Sequence, residues 1–166
     1  MDQEYFMKKA LGEAAQALKT GEFPVGCVLA CEGRVLVTGS RHNSTPGNYN
    51  ELDHAEMAAL RKLADMGADM DRKKIVVFST LEPCLMCYSA LIVNGIRNIV
   101  YAFEDVLGGG TGLDLENLNP LYNEMRIEVS GGVLRKESLA LLKAFFSDPH
   151  HDYLKGTLLA QHTLKA

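Results

Sequence analysis

Apolar residues recur through the first helical stretch at Met7, Leu11, Ala14 and Leu18, the three-to-four spacing of one helix face, and Gly21 supplies a stop. The pattern predicts a helix over residues 2–19. Two apolar runs follow, Val25 to Cys31 and Val35 to Thr38, on either side of Glu32-Gly33, which reads as a hairpin turn. Arg41 to Leu52 is polar and carries Pro46 and Gly47, so a loop is expected there. Asp53 is positioned to cap a helix from His54 to about Met66, with Gly67 beyond its end. Ile75 to Thr80 has the length and composition of a buried strand, and Pro83 opens a second helix that ends near Asn94-Gly95. A strand at Asn98–Phe103, a Gly-rich loop at Gly108–Gly112, a strand at Arg126–Ser130 and a helix at Leu134–Phe146 complete the order. Residues 149–166 read as a polar tail.

This alternation predicts an α/β fold of three layers, α-β-α. The central mixed sheet should have about five strands, the last two parallel, with helices on both faces. No repeat, low-complexity tract or linker divides the chain, so one domain over 1–166 is expected. The segment from Cys84 to Val93 is apolar on nearly every side, with the Tyr88 and Ser89 hydroxyls as its only oxygen-bearing side-chain groups and no charge. A helix that covers a sheet with one face should have a polar back. An apolar back predicts a second covering surface, and hence a homodimer or higher homo-oligomer.

Composition narrows the function classes. No apolar stretch approaches the ~20 residues needed to cross a bilayer, so no membrane role is expected. The acids within Met1–Lys9 argue against a secretory leader, which makes the cytoplasm the expected compartment. In a reducing compartment the four cysteines do not form a disulfide framework. Cys84 and Cys87, spaced C-x-x-C, then point to metal or redox chemistry. The formal net charge of −4 is unlike that of most nucleic-acid binders.

Three segments carry candidate chemistry: His54-Ala55-Glu56, Pro83-Cys84-Leu85-Met86-Cys87, and Phe23-Pro24-Val25-Gly26. Singly, each has an ordinary explanation. Glu56 lies three residues after Asp53 and fits a capping box. Cys84 and Cys87 fit a redox pair or half of a structural zinc knuckle. Together they change the picture, because His54 and both cysteines fall at the starts of predicted helices, where the positive helix end favours the thiolates that bind zinc. One imidazole and two thiolates leave the fourth tetrahedral position to water, whose pKa zinc lowers towards ~7. Glu56, on the ligand helix but not itself a ligand, is the candidate for moving protons.

The pattern H-x-E…P-C-x-x-C is a signature of zinc deaminases acting on bases. The sequence resembles the cytidine deaminase-like zinc deaminase superfamily, and within it the bacterial tRNA adenosine deaminases and related nucleobase and nucleoside deaminases. The likeness runs from the first helix through Phe146. It implies hydrolytic replacement of a ring amino group by oxygen, with Zn²⁺ held by His54, Cys84 and Cys87 and Glu56 as the catalytic residue. It also implies that Asn43 contacts the base or ribose, that Asp105 lies near the substrate, and that the backbone amides of Ala55 and Cys84 help hold substrate and intermediate. The plain alternatives are a turn residue for Asn43 and a solvated loop acid for Asp105.

Other signals have simpler readings. Gly108–Gly112 lacks the Gly-Lys-Ser/Thr ending of a phosphate loop. Cys27 sits inside an apolar strand, where a buried free thiol is the usual state, so it and Cys31 need not complete a four-ligand zinc site. His150-His151 with Asp152 fits a polar tail after Pro149. A non-catalytic deaminase-like zinc-binding partner subunit would lack the proton-moving glutamate, and Glu56 is present.

The resemblance and the charges disagree about the substrate. A tRNA editor must neutralise phosphates. Yet 104–118 holds Glu104, Asp105, Asp114 and Glu116 with no cation, and the C-terminal end has Lys155 and Lys165 but no arginine. Thr45–Asp53 is also longer than the loop of the tRNA enzymes. The expected substrate is therefore a small-molecule nucleobase or nucleoside, with tRNA as the alternative.

Overall fold

The computed structural model describes residues 1–67 and 70–166. Helix α1 (Gln3–Lys19) starts at Asp2, whose carboxylate accepts the Tyr5 amide at 3.1 Å. Strands β1 (Gly26–Cys31) and β2 (Arg34–Ser40) follow as the predicted hairpin. Glu32 and Gly33 both have positive φ, 48° and 81°, as a tight two-residue turn with the twist of its strands requires. The polar loop after β2 contains a small hairpin, β3 (Ser44–Thr45) and β4 (Asn48–Tyr49). Next come α2 (Ala55–Asp65), β5 (Ile75–Leu81), α3 (Leu85–Val93) and β6 (Asn98–Phe103). The chain ends with α4 (Pro120–Asn123), β7 (Glu128–Ser130), α5 (Arg135–Ser147) and α6 (Leu158–Lys165).

The main sheet has five strands in the order β2-β1-β5-β6-β7. β1 is antiparallel to β2 and β5, while β5, β6 and β7 are parallel neighbours. The parallel pairing predicted for the last two strands thus extends to a third. Side chains alternate across the sheet as the pleat demands. Val28, Ala30, Phe78, Val100 and Ala102 meet Phe6, Met7 and Ala10 of α1 on one face. On the other face Cys27, Leu29, Val77 and Ile99 share a core with Leu60 and Leu63 of α2 and with Leu91 and Ile92 of α3. This is the three-layer arrangement expected. Two glycines set its thickness: a Cβ on Gly26 would lie 2.1 Å from the Ala10 carbonyl oxygen, and one on Gly39 would lie 2.2 Å from that of Ala55. α2 therefore begins directly against the sheet.

Two expectations are corrected. Asp53 does not cap α2: the capping position belongs to His54, with no side-chain cap bond. The Asp53 carboxylate is taken instead by the side-chain amides of Asn43 (2.6 Å) and Asn50 (2.8 Å) and by Arg61 (2.7 Å). Residues 149–166 are not a simple polar tail either. Thr157 caps α6, Leu159, Ala160 and Thr163 are buried, and α6 packs on α5. Among the described residues, no helix is long and apolar enough to cross a membrane.

Candidate metal centre

β5 and β6 lie side by side and parallel, and the chain leaves their carboxyl ends at Leu81 and Phe103. Open parallel sheets bind ligands in the crevice outside those ends. The N-termini of α2 and α3 point into the same crevice, with His54 and Cys84 at their capping positions. His54 Nδ1 is 3.5 Å from Cys84 Sγ and 3.5 Å from Cys87 Sγ. All three ligand atoms lie within 4.8 Å of one another, the one such group among the described residues. Zinc at ordinary Zn–N and Zn–S lengths with tetrahedral angles requires an N···S separation of about 3.6 Å. The donor set fits zinc in identity, spacing and number.

Electrostatics agree. The Cys84 thiol is pulled down to about 4 by a hydrogen bond from Cys87, with a further contribution from His54. Cys87 is held up by its bond to the Cys84 thiolate and by burial. One proton thus leaves the pair readily, and a metal would displace the other. Burial pulls His54 down, but its bond to Cys84 and the nearby Glu56 and Cys84 charges lift it above its ordinary value overall.

Glu56 is 3% exposed, and its Oε1 accepts the Ser79 hydroxyl at 2.7 Å. It makes no capping box. Burial raises its pKa, partly offset by the Ser79 bond. A carboxyl held protonatable next to three metal donors is suited to taking and returning a proton.

The Gly-rich loop closes the cysteine side. Gly109 bridges Cys84, the Gly110 amide donates to the Pro83 carbonyl at 2.8 Å, and a Cβ on Gly110 would lie 2.6 Å from the backbone of Leu85. Glu82 anchors the loop by accepting the Thr111 hydroxyl at 2.5 Å and the Asp105 amide at 3.2 Å. The glycines permit close backbone contact and no phosphate cradle is needed to explain them. Cys27 is a buried free thiol in β1, with its pKa raised by burial, and stands apart from the metal donors.

One cavity opens on the centre. Ala55, Glu56, Cys84 and Asp105 line it together with His54. Asp105 is partly buried, which raises its pKa, and its Oδ1 accepts the Leu107 and Gly108 amides. Asn43 is not among the lining residues. It sits at φ 56°, its amide nitrogen donates to Asp53, and its Oδ1 accepts from Asn48 at 2.7 Å. Asn43 thereby braces the loop that delivers His54.

Several lining residues escaped sequence reasoning. Tyr153, Leu154 and Leu159 come from the C-terminal segment, whereas Phe23 and Val25, from the turn before β1, belong to the Phe23-Pro24-Val25-Gly26 segment that the sequence already singled out. Arg41 is 2% exposed; its Nη1 donates to the Asn50 carbonyl at 2.7 Å, and Nη2 lies 3.3 Å from the Tyr153 hydroxyl. Phe23 and Tyr153 rings pack with centroids 5.3 Å apart. Only the apolar spacing of Tyr153, Leu154, Leu158 and Leu159 could have signalled this wall.

Known proteins resemble the chain in sequence and in fold. Residues 1–103 match the family model described as the cytidine and deoxycytidylate deaminase zinc-binding region. A tRNA-specific adenosine deaminase of Bacillus subtilis strain 168 is 30% identical over 145 residues, 87% of this chain and 89% of that protein. A solved structure from work on A-to-I editing by tRNA:A34 deaminases at the wobble position of transfer RNA superposes with a TM-score of 0.67 at 30% identity. It covers 83% of this chain and 99% of that one. The guanine deaminase of Bacillus subtilis superposes with a TM-score of 0.55 at 28% identity, over 63% of this chain and 66% of that chain.

Proposed function

The chain belongs to the cytidine and deoxycytidylate deaminase family and is a zinc-dependent hydrolytic deaminase, and on that premise we propose that it acts on a free nucleobase or nucleoside. The overall change is addition of water to an amino-bearing ring carbon and loss of ammonia, leaving a ring carbonyl. Zinc held by His54, Cys84 and Cys87 would supply Lewis acidity and a water acidified towards neutral pH. Glu56 takes one proton from the attacking water and delivers it to the ring nitrogen, then carries the remaining proton of the added hydroxyl to the amine, which leaves as ammonia. Ser79 holds one of the Glu56 oxygens and so fixes the carboxylate beside the metal donors. The backbone amides of Ala55 and Cys84, at two helix N-termini, suit a developing negative charge. Asp105 is a substrate contact at the cavity wall, and Asn43 acts through the loop it braces.

The observation that carries the substrate class is the charge of the cavity. Among the described residues, Arg41 is the one lysine or arginine in its lining, and it is buried against Asn50, Glu51 and Tyr153. The basic run Arg72-Lys73-Lys74 precedes β5, whereas the metal centre follows it. Seven strand residues put about 20 Å between the two ends. Lys74 is also paired with Glu32. The covering wall of Tyr153, Leu154 and Leu159 favours a small occupant over a nucleic-acid loop.

The second reading, tRNA adenosine deamination at the anticodon, is favoured by the 30% identity to the B. subtilis tRNA enzyme. Ammonia release from free adenine, guanine and cytosine, their nucleosides and a tRNA anticodon stem-loop separates the two. Turnover of the stem-loop alone would reject the free-base reading. A non-catalytic partner role is disfavoured by the buried, hydrogen-bonded Glu56. All 166 residues would form one cytoplasmic deaminase unit. Leu85 and Val93, 52% and 55% exposed on the apolar α3, support a homo-oligomer, which light scattering at micromolar concentration would reveal or reject.

A further inference from the structure

We propose that Glu51 is a positioning residue that holds the metal ligand His54 in its binding tautomer and ties that ligand to the C-terminal segment. The proposal rests on the zinc reading of His54, Cys84 and Cys87. His54 turns Nδ1 towards both sulfurs, so that nitrogen must keep its lone pair free for the metal. A neutral imidazole then carries its proton on Nε2. Nε2 is 3.3 Å from Glu51 Oε2, within reach of a donated hydrogen bond.

Glu51 is itself constrained, although its side chain is 64% exposed. The same Oε2 accepts the Tyr153 hydroxyl at 2.9 Å and lies 3.5 Å from Arg41 Nη2. Arg41 is fixed in turn by the Asn50 carbonyl, and its guanidinium lies 5.4 Å from the centre of the Tyr153 ring. Tyr49 stacks on Tyr153 and donates its hydroxyl to Asp152 at 2.5 Å, which adds a second bond between the loop and the C-terminal segment. A lone surface carboxylate would rotate among solvent; this one has three protein partners converging on a single oxygen. A carboxylate that accepts the second nitrogen of a metal-bound histidine fixes the ring and raises its basicity, and its loss costs about 10–100-fold in metal affinity. The long 45–53 loop has a purpose in this arrangement: it carries Glu51 to a point between the metal ligand and the wall of the cavity.

The test is zinc affinity, measured by competition with a chromogenic chelator on the full-length protein. Glu51→Ala should bind zinc about 10–100-fold more weakly than the parent. Glu51→Gln should remain within a few-fold, because the amide oxygen still accepts the Nε2 proton. Tyr153→Phe leaves the acceptor in place and should also remain within a few-fold. Unchanged affinity in Glu51→Ala, or equal weakening in Glu51→Ala and Tyr153→Phe, would overturn the proposal. The second result would mean that Glu51 acts only by holding the C-terminal segment. Nitrogen-15 NMR of the zinc-loaded parent gives an independent readout: the His54 Nε2 proton should be observable and protected from exchange, and exposed in Glu51→Ala. A proton on Nδ1 would overturn the assignment. A parent that binds no zinc at all would fail the metal reading itself, a result distinguishable from failure at Glu51.

Discussion

Ser79 on β5 donates its hydroxyl to Glu56 on α2 at 2.7 Å, and both side chains are buried. Strand and ligand helix are therefore joined at the residue next but one to His54. A glutamate serving only to start a helix would turn back to the helix's own amides. Glu56 reaches its own amide, but it also bonds across to the sheet, beside the two cysteines, where burial raises its pKa.

Glu56→Ala is expected to retain stoichiometric zinc and lose about 10²-fold or more in turnover. Loss of a capping residue would show chiefly as about 1 kcal/mol of stability. Parallel measurement of zinc content, melting temperature and rate distinguishes them. Near-normal turnover with a lowered melting temperature would return Glu56 to a structural role.

Cys84→Ser and Cys87→Ser should each lose zinc and activity together, whereas Cys27→Ser should keep both. All four thiols are free, but only Cys84 and Cys87 face His54. Cys27 faces the core between β1 and α2, where burial and the Glu56 charge keep it protonated. Metal analysis of the purified variants decides the point, and full zinc in Cys84→Ser would remove it from the ligand set.

Local chemistry was readable in the sequence because short-range patterns encode it. Glu32-Gly33 announces its turn, the apolar runs announce the strands, and the spacing of His54, Glu56, Cys84 and Cys87 announces the centre. The misread positions depend on competition at a distance. Asp53 has the chemistry of a cap, but Asn43, Asn50 and Arg61 claim its oxygens in the folded chain. Arg41 and Tyr153 are 112 residues apart, and nothing local to either predicts that they meet. The residues after Pro149 look polar on average, yet Leu159 is 1% exposed because α5 and the cavity wall receive it.

The anchor of α6 should be pH-dependent. Glu104 binds Arg135 through both oxygens and accepts from His162 of α6 at 2.8 Å, while Arg135 lies over the Phe103 ring. The Arg135 bonds hold the Glu104 pKa down to about 2, against 4.5 for an ordinary glutamate. A lowered folded-state pKa stabilises the fold above the unfolded value, and that stabilisation is lost as pH falls through the folded one. Glu104→Gln should therefore melt below the parent near neutral pH, with the gap closing between 4.5 and about 2. Thermal melts near neutral pH and near pH 3 test this. An equal gap at both would assign the effect to packing of Arg135 on Phe103.

Salt dependence separates the two substrate readings whichever base reacts. Each phosphate neutralised by a protein cation contributes nearly one unit to the log–log slope of affinity against salt for duplex nucleic acid, and about 0.7 for a single strand. A protein making 6–10 phosphate contacts loses about 10³–10⁵ in affinity between roughly 50 and 200 mM salt. Here the cavity lining offers Arg41 alone among the described residues, already engaged by Asn50, Glu51 and Tyr153, and the acids Glu82 and Asp105 also line the cavity. A neutral base entering that cavity releases no counterions. The kcat/KM for the reacting free base or nucleoside should therefore change less than about two-fold over that salt range, and the anticodon stem-loop should bind weakly throughout. A steep slope with turnover confined to the stem-loop would show that cations outside the lining reach the phosphates. Arg72, Lys73 or the basic groups of a second copy would then have to supply them, and the zinc centre with Glu56 would serve a tRNA editor unchanged.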